Sequence, residues 1–295
     1  DYKVPEFLHT IDEIWGRRVS NFGFLDLYRQ FTHPRIVAEA LKMLKALFIY
    51  LEPNFSARRP SYYVVGMTPD TTANDQIINL INTVFTPSMF IAVSHLSYPV
   101  RSFSDCLIFP VAMESLPPNL VRGRDYNYGH TINQSLALLQ AVKNMGLSIP
   151  VGISFSLKGV YYAPKLSNQS SPKVDEMQMF KPCQDHPEPF YEDPKLLCGQ
   201  GNWTPKLPLL AYNLGEKKTI TYLTESTITQ MACNAKKFHP NLEFTLVTYD
   251  VDFDHAPACI RLGFQSSNAG YIRMKITRAV LNFIRTNFTS ASKNT

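Results

Sequence analysis

No apolar run in this 295-residue chain approaches the roughly 18 residues that a membrane-spanning helix needs. Residues 43–51 come nearest in character, but the stretch is short and carries Lys45. Clustered charge is also lacking. The net charge is +5, and no basic run exceeds a pair such as Arg17-Arg18, Arg58-Arg59 or Lys236-Lys237. A scattered surplus of this kind argues against a nucleic-acid or membrane-surface function. The 13 glycines form no Gly-x-Gly-x-x-Gly, so no phosphate-cradling loop is expected, and the Gly-x-Ser-x-Gly nucleophile elbow is absent. His33, His95 and His255 lie near expected strand ends with no serine or cysteine at nucleophile spacing, which assigns them to local hydrogen bonding. The five cysteines lack paired Cys-x-x-Cys spacing, so no metal and no cofactor is expected.

What is present describes a folded domain. Hydrophobic residues make up 45% and aromatics 12%, enough for a packed core. Five Asn-x-Ser/Thr sequons, at Asn54, Asn133, Asn168, Asn202 and Asn287, point to a secreted glycoprotein. The cysteines fit disulfides in that setting. Cys183 and Cys198 bracket a Pro-rich polar loop, and Cys233 and Cys259 flank one helix-to-strand unit, so Cys183–Cys198 and Cys233–Cys259 are the expected staples, with Cys106 left over.

Hydrophobic periodicity predicts helices over 7–19, 36–51, 72–84, 131–145, 224–237 and 269–287, and strands over 22–27, 61–67, 89–96, 148–157 and 242–249. Strand and helix alternate at the spacing of crossover connections in a parallel sheet. The two candidates are a doubly wound sheet and a barrel. Residues 158–220 break the alternation with Pro-rich, polar sequence and two short strands, 207–213 and 219–222, and read as an insertion subdomain. Residues 1–157 and 221–295 then form the segments of the main domain.

The stretch 22–30, Phe-Gly-Phe-Leu-Asp-Leu-Tyr-Arg-Gln, is an apolar strand running into a polar rim. It resembles the catalytic strand of glycoside hydrolase family 18, the chitinases, whose pattern is Asp-Gly-x-Asp-x-Asp-x-Glu. On that pattern Asp26 keeps the middle acid, Tyr28 replaces the last aspartate, Gln30 replaces the proton-donating glutamate, and Gly23 and Phe24 fall on the first Asp-Gly. Downstream, Leu96-Ser97-Tyr98-Pro99 resembles the family's Met-x-Tyr-Asp with proline for the aspartate. Residues 149–155 with the following insertion resemble its seventh-strand region. Tyr249-Asp250-Val251-Asp252-Phe253-Asp254 places an aromatic and acids where the family carries its sugar-flooring tryptophan and Asp-x-Asp.

The resemblance, nearest to divergent secreted chitinase-like proteins of the arthropod, tick type, implies a TIM-type (β/α)8 barrel with a small α+β insertion. Only strands four to eight are represented, so the chain reads as an N-terminally truncated fragment. A partner for Cys106 in the lost part would explain the odd cysteine count. The resemblance further implies that Gln30 removes the general acid, a contribution typically worth ~10²–10⁴ in rate. Tyr28 supplies no negative charge at neutral pH. The expectation is an inactive chitinase-like protein whose Asp26, Tyr28, Gln30, Tyr98, Tyr249, Asp250 and Asp252 contact chitin or another N-acetylglucosamine glycan, carried on an oligosaccharide or a host glycoprotein. The alternatives are a secreted interaction scaffold without a sugar site, and a residual hydrolase using Asp26 or Asp252.

Overall fold

The computed structural model describes residues 5–27, 33–56, 60–69, 73–96, 106–121, 131–184, 191–199, 202–206, 208–257, 259–265 and 270–287. The chain forms two compact units, residues 1–93 with 135–153, and residues 94–134 with 154–295.

The first unit starts with α1 (Pro5–Gly16), β1 (Phe22–Leu27), α2 (Pro34–Leu51), β2 (Tyr63–Met67), α3 (Asn74–Thr83) and β3 (Met89–Ala92). Helix α2 has Pro34 in its first turn and a cap in which the His33 ring accepts the Arg35 N–H at 3.3 Å. Its buried residues Val37, Leu41, Leu44, Leu47 and Leu51 recur at three- and four-residue intervals, which puts them on one face. In α3 the buried face is Ile77, Ile78 and Ile81. Between β1 and β2 the backbones approach so closely at the Gly23–Val64 pair that a Cβ on Gly23 would run into the Val64 carbonyl. That contact is why no side chain, acidic or otherwise, stands at position 23.

After the four-residue α4 (Pro118–Val121) and α5 (Ile132–Asn144) comes β4 (Val151–Ser156), which begins in the first unit and ends in the second. All six of its residues are buried, as befits a strand covered on both faces. The pairs β1–β2, β2–β3 and β3–β4 are parallel. With β10 (Thr245–Tyr249), introduced below in chain order, the sheet runs β1-β2-β3-β4-β10. Among the described strands the order never reverses and shows no switch point of the doubly wound kind, and the winding is that of a (β/α) barrel.

Between β4 and the last helices, a second five-stranded sheet of order β6-β5-β9-β8-β7 is built from β5 (Gly159–Tyr162), β6 (Tyr191–Glu192), β7 (Thr204–Lys206), β8 (Leu210–Asn213) and β9 (Lys218–Thr221). Its pairs are antiparallel, and its core holds Trp203, Ala211, Ile220 and Tyr222. Then follow α6 (Glu225–Phe238), entered through a capping box on Thr224, β10, and α7 (Ile272–Asn287).

The disulfides correct the sequence reading. They join Cys106 to Cys183 and Cys198 to Cys259, with Cα separations of 5.0 and 5.7 Å, and Cys233 is the free thiol. Cys183 cannot serve Cys198, because its segment lies antiparallel to the 106–107 backbone, where the Cys183 N–H donates to the Cys106 carbonyl. Cys198 instead lies in the 3-10 turn Pro194–Gly199, which packs on the turn opened by Cys259. Cys233 sits within α6, so nearness along the chain did not translate into nearness in space. Cys106 therefore needs no partner from outside the chain.

Candidate functional site at the carboxyl ends of the strands

Strand β4 is apolar except at Ser154 and Ser156, which alternate with Ile153 and Phe155 and so share one face. Both hydroxyls are fully buried, and a buried hydroxyl needs a partner. Ser154 finds its partners on the segment that leaves β3. The Ser94 N–H donates to Ser154 Oγ at 3.0 Å, the Ser154 N–H donates to Ser94 Oγ at 3.0 Å, and Ser94 Oγ donates to the Ser154 carbonyl at 2.6 Å. This reciprocal clasp delivers the next residue, His95, whose Nδ1 lies 2.8 Å from Ser154 Oγ and whose ring is 1% exposed.

Tyr249, the last residue of β10, rests on His95 with ring centroids 4.7 Å apart and planes inclined at 53°. It is half-buried. Its carbonyl accepts the Leu157 N–H at 3.1 Å, which ties the end of β10 to the end of β4. Asp250 then turns left-handed, with φ 55° and ψ 45°. Its Oδ2 accepts the Ser156 hydroxyl at 2.5 Å and lies 3.6 Å from Lys158 Nζ. The Lys158 side chain is 7% exposed, and its ammonium sits 4.0 Å above the Tyr191 ring, compensated by a carboxylate and a π-face together.

Beneath the turn after Asp250 lies a buried quartet. Asp254 accepts from Lys195 Nζ at 2.8 Å and from Arg273 Nε at 2.9 Å, and Asp193 lies 3.9 Å from each of the two cations. Burial pushes the Asp254 carboxyl upward, but Arg273 and Lys195 together outweigh it and hold the group below the usual carboxylate range. Arg273 also donates to the carbonyls of Leu223 and Phe253. The quartet thereby anchors the 3-10 turn Val251–Asp254 and the start of α7.

Of the sequence-derived site residues, the structure brings Tyr249 and Asp250 together at the strand ends. Asp252 does not alternate with Asp250 as a strand residue would. The chain leaves the strand at Asp250, and Asp252 is exposed on the turn that follows. Tyr28, Gln30 and Tyr98 lie outside the described residues, and of Asp26 only the backbone, near the end of β1, is described. Sequence reasoning missed Ser156, Lys158 and Tyr191 as members and His95 as the support of Tyr249. The signal available was the pair of hydroxyls at i and i+2 in an otherwise apolar strand. Nothing in the sequence signalled Tyr191, which arrives from the second sheet.

No protein-family model matches the sequence, and no curated protein is similar to it at the sequence level. Solved structures are similar in fold. An immunomodulatory active chitinase from Trichuris suis matches with a TM-score of 0.61 at 9% identity, over 92% of this chain and 73% of its own. The Group IV chitinase of Ostrinia furnacalis matches with a TM-score of 0.61 at 12% identity, over 95% of this chain and 74% of its own. Human YKL-39, described as a pseudo-chitinase with retained chitooligosaccharide binding properties, matches with a TM-score of 0.61 at 10% identity, over 94% and 73%. The chain thus has the α/β barrel fold of the chitinases and chitinase-like proteins, the architecture that the strand 22–30 resembles.

Proposed function

We propose that the protein binds N-acetylglucosamine oligosaccharides, free or on a glycoprotein, without hydrolysing them. The observation that carries the reading is Tyr249. It is a half-buried aromatic at the carboxyl end of a barrel strand, seated on His95 and flanked by an acid whose orientation Ser156 and Lys158 determine. An aromatic face with an oriented hydrogen-bonding group beside it suits a sugar ring, whose apolar face stacks while its hydroxyls and acetamide seek partners. The remaining expected contacts are Asp26, Tyr28, Gln30 and Tyr98. The absence of turnover rests on Gln30, an amide where the resembled pattern has its proton donor; an amide donates a hydrogen bond but no proton to a leaving oxygen.

Secretion is part of the same reading. Two disulfides suit an oxidising compartment, and all five sequon asparagines are exposed. Among the described residues no helix is long and apolar enough to cross a membrane.

The test is the dissociation constant for an N-acetylglucosamine tetramer, compared between the wild type and Tyr249→Ala by surface plasmon resonance. Loss of one stacked ring is expected to weaken binding about tenfold, the equivalent of about 1.4 kcal/mol. Equal affinities for the two proteins would remove Tyr249 from the site.

A further inference from the structure

The scattered charge of the sequence is not scattered in the fold. After Asp254 the chain contains no Asp or Glu at all; its last 41 residues carry six Lys or Arg, and the preceding 254 carry a net charge of −1. Helix α7 gathers part of this surplus on one side. Arg273, Thr277, Val280 and Ile284 are buried, which sets the helix orientation. Lys275, Arg278 and Arg285 are exposed on the other side. At about 100° and 1.5 Å per residue they fall within an arc of roughly 80° and span about 15 Å along the axis. Asn282, also exposed, stands between them on the same arc and adds a hydrogen-bonding group. In the elements packed against α7, the acids are Glu225 and Asp254, both fully buried, and Asp252 on the turn. Helix α6 ends in the exposed Lys237, whereas Lys236 beside it is buried and donates to the carbonyls of Pro240 and Leu242.

We propose that the exposed face of α7 is a docking surface for a sulfated polysaccharide. A linear polyanion matches a stripe of cations in line. Guanidinium groups engage sulfate oxygens in pairs, and lysine adds a point charge. A lipid surface suits the face less well. Met274 lies on one side of the stripe and Ala279 and Phe283 on the other, so the exposed apolar residues of the helix do not make the contiguous face that a membrane-lying helix inserts. Nucleic acid suits it less well because the two disulfides belong to an oxidising compartment.

The experiment titrates the whole chain with heparin at 50 and 200 mM salt, alongside fully desulfated heparin and vesicles of phosphatidylcholine with phosphatidylserine. Three neutralised contacts predict affinity for heparin falling roughly 30-fold between the two salt concentrations. The triple variant Lys275→Glu, Arg278→Glu, Arg285→Glu is expected to bind at least ~10-fold more weakly at 50 mM salt. A control that reverses the exposed Lys45, Lys165 and Lys206 has the same net charge and is expected to bind as the wild type. Binding of the N-acetylglucosamine tetramer should be the same in all three proteins, which separates this surface from the strand-end site. The proposal is overturned if the wild type does not bind heparin at 50 mM salt, or if desulfated heparin binds equally. It is also overturned if the control loses as much as the α7 variant, or if vesicles bind and heparin does not.

Discussion

Asp254 and Arg273 are the residues on which the geometry of the strand-end site depends, although neither lies in it. Both are fully buried and carry charge, an arrangement that survives only when each charge has its partner and its remaining hydrogen bonds are met. Arg273→Met leaves Asp254 and Asp193 against a single cation, and is expected to cost about 3–5 kcal/mol of unfolding free energy in urea denaturation. The pH dependence has a definite sign. Asp254 is held below its ordinary value of 3.8, so the native state releases its proton more readily than the unfolded chain does. Its contribution is complete above pH 4 or so and disappears as the pH falls through the lowered value. Thermal unfolding followed from pH 5 downward should show the loss, and Asp254→Asn should reduce that slope while lowering stability at pH 7. Glu225 acts in the opposite sense. Burial raises its carboxyl above the ordinary 4.5, so stability declines as the pH rises from 4.5 through the raised value. Glu225→Gln should flatten the profile on that side.

Among the elements, the hydroxyl-bearing face of β4 and the close β1–β2 approach exert the most specific control. Gly23→Ala inserts a Cβ into the Val64 carbonyl, and β1 must separate from β2 to admit it. Circular dichroism melting should place this variant below the wild type, by more than the few tenths of a kcal/mol expected of an exposed strand position. The Cys198–Cys259 bridge ties the 3-10 turn after β6 to the turn that precedes α7. Replacing both cysteines with alanine is expected to cost about 2–5 kcal/mol. Alanine at Cys233 should cost far less, and thiol titration of the unreduced protein should report one reactive group, which Cys233→Ala removes.

For the whole molecule, periodicity carried the element order because long amphipathic faces such as 37–51 and apolar strands such as 148–157 leave little choice of structure. Boundaries shifted where apolar residues continue past the hydrogen-bonded strand. Residues 93–96 are buried, yet β3 closes at Ala92, and the segment beyond it serves the Ser94–Ser154 clasp instead of extending the strand. Pairing of cysteines was not legible, since it depends on which segments the sheet brings together. Tyr249 and Asp250 were legible because they end a strand. Lys158, Tyr191 and His95 were not, because each acquires its role only through a partner distant in sequence. The same applies to charge: isolated cations spaced by three and seven residues look dispersed until a helix aligns them.

The central claim, a barrel that holds a chito-oligosaccharide and leaves it intact, is tested most directly by calorimetric titration of the protein with an N-acetylglucosamine tetramer, followed by chromatography of the recovered sugar. The account predicts a saturating heat, a return to a flat baseline after each injection, and intact tetramer at the end. Sustained heat with shortened sugar would contradict the reading of Gln30. No heat at all would contradict the sugar site and leave the fold as a scaffold for a protein partner.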